Sequence, residues 1–341
     1  RQIAACLNLS AREIGYAGLK DTQAITRQWI SVPASAEKHL ARLEQLQCLV
    51  LSSNRHDNKL RLGHLAGNRF RLRIRKPDPQ AKQKADLILQ QLERQGVPNR
   101  FGEQRYGLLG NSHLLGHLLL HGNYAEFCRE FIGDPQRIEN SKWQLAAQLF
   151  RDGDLSSAAR LLPAGMSNEK NLLEMLAKGR PYKAAVLALP TPMLRLYLSA
   201  LQSWLFDQLL LQRMPNLGDL QTGDLAIKHA NGACFLVNEP ENEQPRADQF
   251  EISPTAPLFG SKIKLAEQGP GNNERTLLKQ FGLRPENWKL SGGLTMTGER
   301  RALRVPISAI ATTEIGTDLQ LEFCLPRGSY ATSVLNELIK K

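Results

Sequence analysis

The sequence predicts a protein of mixed strands and helices built around two cores, with α/β-type alternation near its start. The chain has 341 residues, and chains much beyond about 250 residues tend to divide into domains. Residues 69–75 alternate arginine with apolar side chains at a period of two, which marks a strand with one packed face. From about Asn111 to Leu211 the pattern turns to amphipathic helical runs, so helices dominate the middle of the chain and strands lie on either side. With 42% hydrophobic residues and ordinary Gly (26) and Pro (18), collagen-like and low-complexity classes are excluded.

Taken in order, residues 16–21 read as a strand running into a loop, and 26–32 as a second strand that Pro33 stops. Ser35 is expected to cap a helix carrying Leu40, Leu43 and Leu46, and 48–52 is apolar enough for a buried strand. In 69–75, Phe70, Leu72 and Ile74 share one face and Arg69, Arg71, Arg73 and Arg75 the other, which meets solvent or phosphate. Asp78 and Pro79 open a helix that runs towards Arg94 and ends at Gly96-Val97-Pro98. Residues 98–107 (PNRFGEQRYG) are polar, aromatic and glycine-bearing without periodicity, and constrained loops of this kind carry function. After the helical block, 218–250 suggests short strands and turns. Turns are expected at Gly269-Pro270-Gly271-Asn272 and Ser291-Gly292-Gly293, strands at 303–306 and 318–325, and a terminal helix over 330–341.

Lys plus Arg (44) exceeds Asp plus Glu (33), a formal charge of +11, which attracts an anionic partner without reading its sequence. No stretch reaches the roughly 18 consecutive apolar residues that a membrane helix needs. Five cysteines, odd in number and without a CxxC pair, argue against a disulfide framework or a zinc ribbon and for reduced thiols in the cytoplasm. The chain opens at Arg1 without an initiating Met, so an amino-terminal segment is expected to lie outside it. His113, His117 and His121 recur at i, i+4, i+8, but no carboxylate or thiol completes a metal shell, and a structural role is the better reading. P-loop, dinucleotide-binding and nucleophile-elbow motifs are all absent. In 15–29 (GYAGLKDTQAITRQW), Asp21 has the lone pairs of a nucleophile or base. Its residue type fits a plain turn equally well.

Seven blocks, in order along the chain, carry a resemblance. They are GLKDTQAITRQW (18–29), GNRFRLRIR (67–75), VPNRFGEQRYG (97–107), LQSWLFDQLL (201–210), PLFG (257–260), RRALRVP (300–306) and LPRGSYATSVLNELI (325–339). Together they resemble the TruD family of tRNA pseudouridine synthases. The resemblance implies isomerisation of a tRNA uridine, by family analogy at position 13, with Asp21 as the catalytic nucleophile. It implies substrate contacts by Asn68, Phe70, Tyr330, Gln28 and Arg105: Asn68 orients the carboxylate, and Phe70 and Tyr330 stack on the base. A Phe is common where Tyr330 stands, which keeps stacking and adds a hydroxyl. The family's amino-terminal lysine block is not in this chain.

The resemblance also implies an α+β architecture: a pseudouridine synthase catalytic domain with a mixed, mostly antiparallel sheet flanked by helices. That domain is expected over 1–106 and 286–341, interrupted by a family-specific α/β insertion over 107–285. No cofactor and no metal are expected, because a carboxylate and a positioned sugar suffice for the chemistry. A tRNA partner, no membrane and a monomer complete the reading. The alternatives are a tRNA-binding or RNA-chaperone protein without catalysis, and a metal-dependent nuclease built on the histidines.

Overall fold

The computed structural model describes residues 1–21, 24–46, 48–290 and 292–339. Thr22 and Gln23 of the first block, Ser291 of an expected turn and the last two residues of the expected terminal helix lie outside the described residues. The chain forms two compact units, Arg1–Phe70 with Cys324–Gly328, and Arg71–Phe323 with Ser329–Lys341.

The smaller unit begins with α1 (Gln2–Cys6) and continues through β1 (Gly15–Tyr16), β2 (Ile30–Ser31), a 3₁₀ helix over Ala34–Gln45 and the first half of β3 (Gly67–Ile74). Leu7, Ala36 and Leu43 are its buried core, with Ile3, Val32 and Leu40 packed on them. β1 and β2 pair antiparallel, Gly15 opposite Ser31 and Tyr16 opposite Ile30. Both strands are far shorter than the sequence suggests, because the Ala17 carbonyl accepts from Gly63 N–H (3.2 Å) and leaves the ladder. Two further expectations are corrected. Ser35 caps nothing: Pro33 precedes the helix and Ser35 lies inside it. Residues 48–52 form no strand, and Leu49, Val50 and Leu51 are exposed. An apolar run becomes a strand only where a neighbour takes its backbone groups, and none of the described residues does.

The larger unit takes up β3 at Arg71. α2 (Ala81–Gln95) starts where expected, with Asp78 Oδ1 accepting from Gln80 N–H at 2.8 Å, and β4 (Val97–Pro98) follows. Seven helices form the central block: α3 (Ser112–Leu120), α4 (Tyr124–Ile132), α5 (Ser141–Arg151), α6 (Leu155–Leu161), α7 (Ser167–Ala177), α8 (Tyr182–Leu187) and α9 (Thr191–Arg213). Three of them begin at an Asn or Asp whose side chain accepts from the first turn: Asn123, Asn140 and Asp154. Phe127, Leu173, Leu198 and Phe206 centre the core between them.

Beyond the helices come β5 (Leu225–Lys228), β6 (Cys234–Leu236), α10 (Pro240–Asp248), β7 (Ile252–Leu258), α11 (Gln268–Gln280), β8 (Glu299–Ala302), β9 (Arg304–Val305), β10 (Ser308–Ile315), β11 (Asp318–Pro326) and α12 (Ala331–Ile339). The strands make a four-stranded antiparallel sheet ordered β6-β5-β7-β8, a β4-β9 pair with Val97 opposite Val305, and a three-stranded sheet ordered β10-β11-β3. Helices and largely antiparallel sheets thus make up the expected α+β fold. The Gly-Pro-Gly-Asn turn is overturned: residues 269–272 are the first turn of α11, where a proline is tolerated because first-turn N–H groups have no helical acceptor. Strand β7 hides behind Pro254 and Pro257, and α10 and β10 carried no clear sequence signal.

In β3 the alternation holds, with the odd-numbered arginines exposed and Phe70, Leu72 and Ile74 half-buried. The arginine face is not a free cationic stripe. Arg71 Nε bonds Glu322 Oε1 at 3.0 Å and Arg73 Nε bonds Asp318 Oδ2 at 2.7 Å, both across to β11.

Candidate active site

In the smaller unit Asp21 stands on the loop that leaves β1, exposed, and in no ion pair among the described residues. Nζ of its neighbour Lys20 donates to Asn68 Oδ1 on β3. An ammonium group has only donors, so this contact settles how the Asn68 amide lies: oxygen towards Lys20, NH₂ away from it. Asn68 and Phe70 are two residues apart on a strand and so share the face opposite Arg69 and Arg71. Gln28 is exposed on the segment leading into β2.

In the larger unit four of the quoted blocks converge. Phe101, at the centre, is packed by Tyr330 (centroids 5.9 Å apart) and by Phe206 edge-on (5.8 Å). The Arg301 guanidinium lies over the Phe101 ring at 4.4 Å and donates to Asn99 Oδ1 at 2.5 Å and to Asn99 O at 3.2 Å. Asn99 in turn donates through Nδ2 to Ala302 O (2.9 Å), tying the loop to β8. Burial pushes the Arg301 guanidinium below its ordinary value, with the Tyr330 hydroxyl opposing the shift.

Arg105, expected to contact substrate, spends donors inside the protein: Nε to Ser203 Oγ (3.1 Å) and a second guanidinium nitrogen to Ser199 Oγ. Ser199, Ser203 and Asp207 recur at i, i+4, i+8 and form one polar stripe of α9. Asp207 Oδ1 accepts from Phe101 N–H (3.1 Å) and Oδ2 from the Tyr106 hydroxyl (2.8 Å). Burial raises the Asp207 carboxyl above the usual range, while these two hydrogen bonds favour its ionised form. The stripe therefore shapes the 98–107 loop from behind. Sequence reasoning named none of Asn99, Phe101, Asp207 and Arg301 as site residues, although all lie in the quoted blocks. A signal was available for Asp207, since Ser199, Ser203 and Asp207 are spaced by four along the helix.

His113 stacks on Trp204 (5.2 Å, interplanar 9°), and His117 Nε2 and His121 Nε2 both reach Phe281 O, at 3.1 and 3.0 Å.

The relatives of this chain give the family to which it belongs. The family described as tRNA pseudouridine synthase D (TruD) matches residues 1–338. The tRNA pseudouridine synthase D of Syntrophotalea carbinolica is 51% identical over 341 residues, covering 100% of this chain and 85% of that protein. The enzyme of the same name from Geobacter metallireducens is 47% identical over 342 residues, covering 100% and 84%. The crystal structure of a putative tRNA pseudouridine synthase D from Methanosarcina mazei superposes with a TM-score of 0.82 at 26% identity, covering 100% of this chain and 84% of that one. The class is that of the pseudouridine synthases. Within it, the chain belongs to the tRNA pseudouridine synthase D family.

Proposed function

We propose that the protein isomerises uridine to pseudouridine in tRNA, at position 13, with Asp21 as nucleophile. The carboxylate attacks ribose C1′ and the C1′–N1 bond breaks. The freed uracil turns, C5 bonds to C1′ and the carboxylate leaves. The proton lost from C5 is balanced by one gained at N1, so the product is an isomer. Stacked RNA hides its glycosidic bonds, so the uridine must be extruded and held. Phe70 and Tyr330 are assigned to stacking, and Gln28 and Arg105 to substrate contact.

The observation that carries this reading is the Lys20–Asn68 bond, which turns the Asn68 NH₂ away from Lys20 and leaves it to orient a carboxylate. The chemistry requires no metal, since a positioned carboxylate and sugar suffice. We read 107–285 as the family-specific insertion and the protein as a cytoplasmic monomer. None of the described helices is long and apolar enough to cross a membrane.

The test is tRNA incubated with the protein and mapped by pseudouridine-specific chemistry. Asp21→Asn is expected to cut turnover by about 10³-fold or more while the fold persists. Undiminished conversion by the folded variant would refute the assignment. Absence of any conversion by the parent, with tRNA still bound, would favour a non-catalytic tRNA binder.

A further inference from the structure

Beside the last turns of α11, the larger unit has a cavity of about 420 Å³, within the size range of small-ligand sites. Leu265, Leu278, Leu283 and Pro285 give it an apolar floor, and Arg275, Lys279 and Arg284 stand around it. No carboxylate is among its lining residues. Arg275, Leu278 and Lys279 recur at i, i+3, i+4 on one face of α11, and Gly282, Leu283, Arg284 and Pro285 continue the wall just beyond the end of the helix.

The wall is built without a ligand. Leu283 N–H donates back to Leu278 O (2.9 Å) and Gly282 N–H to Lys279 O (3.1 Å), a helix ending that sets Leu283 against Leu278 and needs the positive φ of Gly282 (+60°). His117 and His121 hold the Phe281 carbonyl from behind. Of the cations, Arg275 is anchored to Asn272 Oδ1 at 3.1 Å. Lys279 and Arg284 enter no ion pair among the described residues. Like charges at i, i+4 repel by a few tenths of a kcal/mol. The helix dipole compensates Lys279 in the last turn but not Arg284 beyond it.

We propose that this pocket takes a phosphorylated nucleotide of the bound tRNA, distinct from the uridine that reacts. Its sugar and base lie on the leucine and proline floor, and its phosphate sits between Lys279 and Arg284. An inorganic anion would use the cations but not the floor, and an apolar ligand the reverse. A nucleotide uses both, and the reacting uridine needs a carboxylate that this lining lacks. The inference rests on the reading of the protein as acting on tRNA.

The test is equilibrium binding of unmodified tRNA to the full chain over a range of salt concentrations, independent of turnover. The double variant Lys279→Gln/Arg284→Gln is expected to raise Kd roughly tenfold and to flatten the slope of log K against log salt by about 1 to 2. Leu283→Ala is expected to raise Kd about threefold with the slope unchanged. A control pair of equal charge loss, Lys142→Gln/Lys183→Gln, should lose less. Equal loss in the control, or no loss in the pocket variants, overturns the proposal. So does 5′-AMP binding that depends on the pocket when tRNA binding does not, and so does inorganic phosphate competing as well as 5′-AMP. Pocket-dependent tRNA binding by a protein that forms no pseudouridine would instead sink the catalytic reading and leave this one standing.

Discussion

Lys20 and Asp21 are adjacent in sequence and do different work. A lysine beside the carboxylate proposed as nucleophile invites the reading of an ion pair, yet Lys20 reaches across to β3 and spends its charge on an amide oxygen. The consequence is directional. With Lys20 in place, Asn68 offers its NH₂ group on the side away from the ammonium, and without it the amide is free to rotate by 180° and offer an acceptor instead. Lys20→Gln is therefore expected to lower kcat roughly tenfold while the KM for tRNA changes less than about twofold. Lys20→Arg should recover part of the loss, since it restores donors to Asn68. Steady-state kinetics separate the two parameters, and an equal fall in affinity would mean that Lys20 contacts the RNA rather than the asparagine.

At the scale of elements, the 23-residue helix α9 is the spine of the larger unit. It presents an apolar surface to the helical core and a polar stripe to the 98–107 loop, so core packing and loop shape are set by one rigid body. α3 packs tightly against it: a Cβ on Gly116 would stand 2.2 Å from Tyr197 O and 3.0 Å from Leu201 Cβ. Backbone cannot yield as a flexible side chain does, so Gly116→Ala must part the two helices. A destabilisation of about 2–3 kcal/mol is expected, read as a lower urea midpoint. Because α9 also carries Asp207, activity should fall further than the fraction unfolded accounts for. β3 teaches a different lesson. On the face that reads as a phosphate-binding stripe, Arg71 and Arg73 are paired with Glu322 and Asp318 of the neighbouring strand, so its cationic character is smaller than the arginine count suggests.

For the molecule as a whole, the +11 charge favours long-range attraction of a polyanion, while the buried ionisable groups set the pH range in which the fold is stable. Burial depresses His113, His117 and His229 below the ordinary histidine value of 6.5, helped at His113 by its neighbour His117 and at His229 by Arg304. A folded-state value below the unfolded one means that the unfolded chain binds protons more readily. The stability these groups confer is complete above 6.5 and is lost as pH falls through their folded values. The urea midpoint is expected to decline between about pH 7.5 and pH 5.5. His113→Phe, which keeps a ring against Trp204, should show a shallower decline over the same range. Identical slopes in parent and variant would rule out His113 as a contributor. Asp207 and Glu274 are raised by burial and act with the opposite sign: their contribution is complete below the ordinary carboxylate range and is lost as pH rises through their folded values.

Read alone, the order of residues determined the two-faced strand beginning at Arg69, the start of α2 behind Asp78, the amphipathic helices of the middle third and, through seven separated blocks, the family. These are local signals, legible because side-chain periodicity and capping act over a few residues. Tertiary structure alone decided that Asn99 would meet Arg301, 202 residues away in sequence. It alone placed a serine and aspartate stripe behind the 98–107 loop, made a Gly-Pro-Gly-Asn stretch into a helix, and left 48–52 unpaired despite its apolar side chains. Those outcomes depend on which surfaces lose water and which backbone groups find partners. Neither is a property of any short stretch of chain.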